Sequence, residues 1–126
     1  MPNKIQRVRI ASGAIAADGT ATAYSNNIAG KILAVHVNYP TNTCTVDIDT
    51  DGELKSQKII DLAAANTDAV YYPRTDVCDY AGAATPVYDT GFVIVTEFVV
   101  SGRLKLSIAS GTAAETVTVD VIYEEY

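Results

Sequence analysis

Four acidic side chains occupy alternate positions in the stretch Asp47-Ile48-Asp49-Thr50-Asp51-Gly52-Glu53. Oxygen ligands at every second position, followed by glycine, open an EF-hand calcium loop. Such a loop also needs a bidentate Glu at its twelfth position and a helix on either side. Counted from Asp47, the ninth residue is Lys55 and the twelfth is Lys58. A cation stands where the essential anion belongs, and Val46 and Ile48 keep the alternation of a strand. The acids therefore read as the wet face of a strand that runs into an Asp51-Gly52 turn. A weaker calcium site of another kind, using Asp49, Asp51 and Glu53, is the remaining metal candidate.

Other chemistry has less to work with. His36 is the single histidine. A zinc site would have to draw its other ligands from carboxylates and from Cys44 and Cys78, which are not spaced for it. His36 falls mid-strand among apolar neighbours, and no GxSxG elbow accompanies it, so a structural role is expected. The glycines form neither a dinucleotide fingerprint nor a phosphate loop. Asp47 and Asp49 would lie on one face about 7 Å apart. That is near the separation used in glycoside hydrolysis, but no aromatic sugar platform comes with them. The chain is thus expected to be no enzyme and to need no cofactor. The two cysteines are expected as buried or half-buried thiols.

The composition bounds the rest. A chain of 126 residues, 48% hydrophobic and lacking Trp, can build one core without metal or disulfide staples. Its formal net charge of -6 predicts repulsion from nucleic acid and from anionic membranes. The opening residues have no apolar core of signal-peptide length, and no apolar run approaches a bilayer span. A soluble protein made in the cytoplasm is expected. Three of the nine basic residues, Lys4, Arg7 and Arg9, nonetheless fall in the first nine positions. Residues 1–10 read either as a solvated edge strand, whose charges discourage edge-to-edge pairing, or as a basic arm for an acidic partner. Ile5 is out of phase with Val8 and Ile10 and would point away from the chain's own core.

Period two dominates the remaining pattern. In "GKILAVHVNYP", Leu33, Val35, Val37 and Tyr39 share one face, with Ile32, Ala34, His36 and Asn38 on the other. Cys44, Val46 and Ile48 point inward, and "SQKIIDL" returns beside them. "AAANTDA" allows one helical turn. Residues 71–90 lack a period and form a long surface excursion, with Val87 and Tyr88 as a short strand. Its Tyr71, Tyr72, Tyr80 and Tyr88, with Arg74, suit an interface, although tyrosine is also ordinary core filler. "GFVIVTEFVV" is apolar on both faces and reads as a central strand, or one at an oligomer contact. Ser101-Gly102 is expected to be a turn. Leu104, Leu106 and Ile108, then Val117, Val119, Val121 and Tyr123, face inward. About eight strands and no helical period predict an all-β, antiparallel two-sheet sandwich in one domain, with the jelly roll as one form of it.

Three segments carry a resemblance: "ATAYSNNIAGKILAVHVNY" from Ala21 to Tyr39, "YYPRTDVCDYAGAATPVY" from Tyr71 to Tyr88, and "GRLKLSIASGTAAETVTVDVIYEE" from Gly102 to Glu125. Together they span about half the chain. With them the sequence resembles small virion structural proteins of tailed bacteriophages, in particular capsid decoration (cement) proteins. The resemblance implies a β-sandwich bound outside the shell, commonly as a homotrimer, with the major capsid protein as partner. A neck, tail or fibre-base component of the same particle is the alternative, and a small carbohydrate-binding module is the alternative from another class. The resemblance brings no ligand residues with it. Partner contact is expected from Lys4, Ile5, Arg7, Arg9, Tyr71, Tyr72, Arg74, Tyr80 and Tyr88.

Overall fold

The computed structural model describes residues 4–77, 82, 86–87, 92–93 and 95–126. These residues form strands and turns only. The strands are β1 (Lys4–Ala11), β2 (Ala21–Tyr24), β3 (Ile28–Asn38), β4 (Cys44–Asp51), β5 (Lys58–Ala65), β6 (Ala69–Tyr71), β7 (Thr75–Asp76), β8 (Pro86–Val87), β9 (Phe92–Val93), β10 (Val95–Thr96), β11 (Val99–Ala109) and β12 (Thr118–Glu125). All pairings are antiparallel.

Two layers share this network. The first runs β1-β12-β3-β6 and the second β2-β11-β4-β5. With the four two-residue strands β7 to β10 set aside, the eight main strands in chain order give 1-8-3-6 against 2-7-4-5. That interleaving is the connectivity of a jelly roll. Strand β11 belongs to both layers. Val99 to Gly102 pair with β3, and from Arg103 onward the strand pairs with β4 and β2. Gly102 lies at the crossing with φ +147°. The expected Ser101-Gly102 turn is therefore corrected: the glycine changes the strand's layer without reversing the chain.

Alternation builds the core. Cys44, Val46 and Ile48 of β4, Leu104, Leu106 and Ile108 of β11, and Val117, Val119 and Val121 at and before β12 are all buried in one cluster. Ile10, Ile32, Val35, Val37 and Tyr39 close it from the other layer. In β3 the strict alternation fails. Ile122 pairs with Ala34, and Tyr123 pairs with Ile32, so Leu33 is an extra residue. This bulge shifts the phase. Ile28, Gly30 and Ile32 face inward before it and Val35, Val37 and Tyr39 after it, while Leu33 is only partly covered. Gly30 is needed where β3 meets β12, because a Cβ there would lie 2.2 Å from the Glu124 carbonyl oxygen.

Two buried serines let strands leave the layers without orphaned donors. Ser12, after β1, donates its N–H to the Val117 carbonyl at 2.8 Å and accepts from the Val117 N–H through Oγ at 2.9 Å. Ser25, after β2, does the same with Leu104, at 2.9 and 2.8 Å. Each hydroxyl substitutes for one backbone carbonyl where the ladder stops.

Two further expectations are corrected. Ala63 to Ala65 end β5 and Ala69 begins β6, so "AAANTDA" is a tight reversal between strands, with no helical turn. Asp68 there accepts from the Tyr39 N–H at 2.8 Å. "GFVIVTEFVV" is not one central strand. Phe92–Val93 pairs with Pro86–Val87, Val95–Thr96 pairs with Thr75–Asp76, and β11 starts at Val99. Val95 and Val99 are exposed, whereas Phe98 and Val100 reach the core.

Candidate interaction surface

The outer face of the second layer carries the acidic stretch. Three of its four carboxylates, those of Asp49, Asp51 and Glu53, have partners inside the chain. Asp49 lies 3.3 Å from Lys58 Nζ, and Asp51 pairs with Arg103, whose guanidinium sits 4.0 Å above the Tyr24 ring. Glu53 accepts from Gln57 Nε2 at 2.9 Å and from the Ser101 N–H at 2.9 Å. Burial pushes the Glu53 carboxyl up, but these bonds and the Thr50 hydroxyl outweigh it, and the group sits below the usual carboxylate range. Asp49, Asp51 and Glu53 are thus turned to three different partners. Among the described residues no group of three His, Cys, Asp or Glu side chains could hold a metal ion.

The outer face of the first layer mixes ion pairs with exposed apolar groups. One row across the strands reads Ile5, Glu124, Lys31, Val99. Another reads Arg9, Asp120, His36, Val70. Arg9 grips Asp120 through two bonds, Nε to Oδ1 at 2.7 Å and Nη2 to Oδ2 at 2.9 Å. The Arg9 hydrogen bond, followed by its charge and those of Arg7 and His36, holds the Asp120 carboxyl below its ordinary value. A shallow polar cleft of about 530 Å³ opens here between Arg9, Asp120, His36, Asn38, Asp68 and Val70. His36 was expected among apolar neighbours; it is exposed on this face.

The other nominated residues separate. Lys4, Ile5 and Arg7 lie exposed on β1, with Ile5 at 62%. β1 is an ordered strand paired along its whole length with β12. Tyr72 is exposed, but Tyr71 packs against the core beside Tyr39. Burial and the adjacent Tyr71 phenol push the Tyr39 hydroxyl far above the normal tyrosine range. Arg74 Nη1 donates to the Leu33 carbonyl at 3.3 Å and to the Pro73 carbonyl at 2.7 Å. Cys44 is a buried free thiol, raised by burial and by Glu115. Tyr80, Tyr88 and Cys78 lie outside the described residues.

Pattern reading missed Leu54. Its side chain is 107% exposed in the loop between β4 and β5. The signal was an apolar residue set inside an otherwise polar turn, Gly52-Glu53-Leu54-Lys55-Ser56.

No protein-family model, curated protein or solved structure matches this chain.

Proposed function

We propose that this protein is a non-enzymatic structural component of a tailed-phage particle that binds the outside of the capsid and stabilises it, self-associating as a homotrimer. The observation that supports this most is the outer face of the first layer. Ile5, Val70 and Val99 are exposed apolar groups on that face, beside Arg7 and Lys4 at its margin. In the rows across this face these apolar groups stand at the ends with polar and charged side chains between them, a mixed surface of the kind that non-obligate protein contacts use. A chain with formal net charge -6 is repelled at long range by an acidic shell, so its basic edge is the favoured point of first contact. Many copies on one shell turn weak contacts into firm binding.

The test is co-sedimentation with assembled capsids. Saturable binding is expected, and the double variant Ile5→Asp with Arg7→Glu, both exposed, is expected to weaken it at least about tenfold. Wild-type protein that stays in the supernatant at saturating concentration would overturn the reading.

A second reading is favoured by the polar cleft at Arg9, His36, Asn38 and Asp120, whose planar hydrogen-bonding groups suit a sugar. Glycan-array binding that is lost in Asn38→Ala, with no binding to capsids, would select it.

A further inference from the structure

The loop from Gly52 to Gln57 is built rigidly around a single exposed leucine. Thr50 is almost fully buried, at 3%. Its Oγ1 accepts from the Gln57 N–H at 2.7 Å, its N–H donates to the Gln57 carbonyl at 2.9 Å, and its carbonyl accepts from Ser56 Oγ at 2.8 Å. Gln57 Nε2 donates to both Glu53 and the Val99 carbonyl, each at 2.9 Å. Glu53 in turn is tied to the Ser101 N–H. The loop is therefore fastened to β11 at two points. Leu54 is held out from this frame with no covering neighbour. An apolar side chain whose backbone is already ordered loses little entropy on docking, which suits an interface anchor.

A complementary feature lies at the base of the same loop. A hollow of about 620 Å³ is lined by Ile28, Ala29, Gly52, Gly102 and Tyr123, with Glu125 at its margin. Glycines and small side chains leave its floor open. Lys55, next to Leu54, is exposed and has no partner among the described residues. The pair Leu54-Lys55 thus presents an apolar knob with a cation. The hollow offers the apolar groups of Ile28, Ala29 and Tyr123 within a more polar lining that includes Asn27 and Ser101, and it carries the anion Glu125, which also accepts from Gln6 Nε2 at 3.2 Å.

We infer that Leu54 of one copy enters the hollow of a second copy, with Lys55 meeting Glu125 across the contact. Knob and hollow adjoin at Gly52, so exchanged reciprocally the contact gives a two-fold dimer, whereas passed head-to-tail it gives the homotrimer's ring only when the rotation between copies closes. This rests on the self-association in the proposed function and is independent of capsid binding.

Light scattering of the purified full chain from micromolar to millimolar concentration tests it. Wild type is expected to associate. Leu54→Ser should weaken association by roughly 30-fold or more with an unchanged melting curve, because the side chain touches nothing in its own copy. Lys55→Glu and Glu125→Lys should each weaken it by up to about fivefold, and the double reversal should restore it. A wild-type monomer at millimolar concentration would overturn the inference. So would an oligomer unaffected by Leu54→Ser, or charge reversals without effect. Capsid binding by a chain that stays monomeric would refute this contact alone and leave decoration standing.

Discussion

Asp47 and Asp61 stand directly opposite one another across β4 and β5. Oδ1 of Asp47 is buried and accepts no hydrogen bond. Burial, then the Asp61 carboxyl, raises the Asp47 pKa, with Asp49 adding to it and Lys58 working against it. Ser107 on β11 is the neutral neighbour on the other side.

A folded-state pKa above the unfolded value means that the native state holds its proton longer. The contribution of Asp47 is fully present below its unfolded value near 4 and is lost as pH rises through the folded pKa. Asp61→Asn removes the like-charge part and leaves the burial part. It is expected to stabilise the fold at pH 7 by roughly 0.2–1 kcal/mol, with almost no effect near pH 4. Urea denaturation at both pH values decides this, and equal effects at both would contradict it.

Asp120 has the opposite sign. Its carboxyl is lowered by Arg9, so its contribution is present above the unfolded value and fades as pH falls through the folded one. Asp120→Asn should flatten the acid limb of the stability profile below pH 4 and leave the profile between pH 6 and 8 parallel to wild type. An unchanged acid limb would show that the Arg9 pair contributes nothing to folding.

Ser12→Ala and Ser25→Ala should each cost about 1–3 kcal/mol, because each strands a buried N–H, that of Val117 or of Leu104. The two sites lie in different layers, so the costs are expected to add. Cysteine at either position, with a poorer acceptor, should fall between serine and alanine. Chemical denaturation of the single and double variants provides the measurement.

Gly30→Ala should destabilise by roughly 1–3 kcal/mol, because the added Cβ would collide with the Glu124 carbonyl and force β3 away from β12. Gly13→Ala is the comparison: nothing lies near its Cβ, and only its φ of +69° opposes the change. A larger loss at Gly13 than at Gly30 would refute the steric account.

Calcium at millimolar concentration should leave the melting temperature unchanged. Asp49 and Asp51 are held by Lys58 and Arg103, and Glu53 by Gln57 and Ser101. A rise of several degrees, reversed by chelator, would show that these contacts yield to the ion.

Where one side chain in two faces the core, the sequence was readable. Cys44, Val46 and Ile48, like Leu104, Leu106 and Ile108, sit where alternation puts them. The bulge at Leu33 carried no such signal, since one inserted residue changes the phase without changing residue types. Gly102 looked like a turn because a layer crossing and a chain reversal make the same demand on the backbone. On the candidate surface, the outward position of Ile5 followed from its phase. The bond from Arg9 to Asp120 did not, because the partners are 111 residues apart in the chain. Leu54 gave too short a signal, one residue in a turn, to stand out from scatter.

The pairing of β1 with β12 joins residues 4–11 to residues 118–125. During synthesis β1 emerges early and must wait for its partner while almost the whole of the main fold is made. Closing so long a loop carries an entropic cost before any contact rewards it, and topologies rich in such pairings fold in milliseconds to seconds. An unpartnered strand exposed for that time is a target for intermolecular pairing. Lys4, Arg7 and Arg9 interrupt the apolar positions of β1, and charges so placed in an unpartnered strand disfavour its pairing with other chains, whatever they contact once the fold is complete.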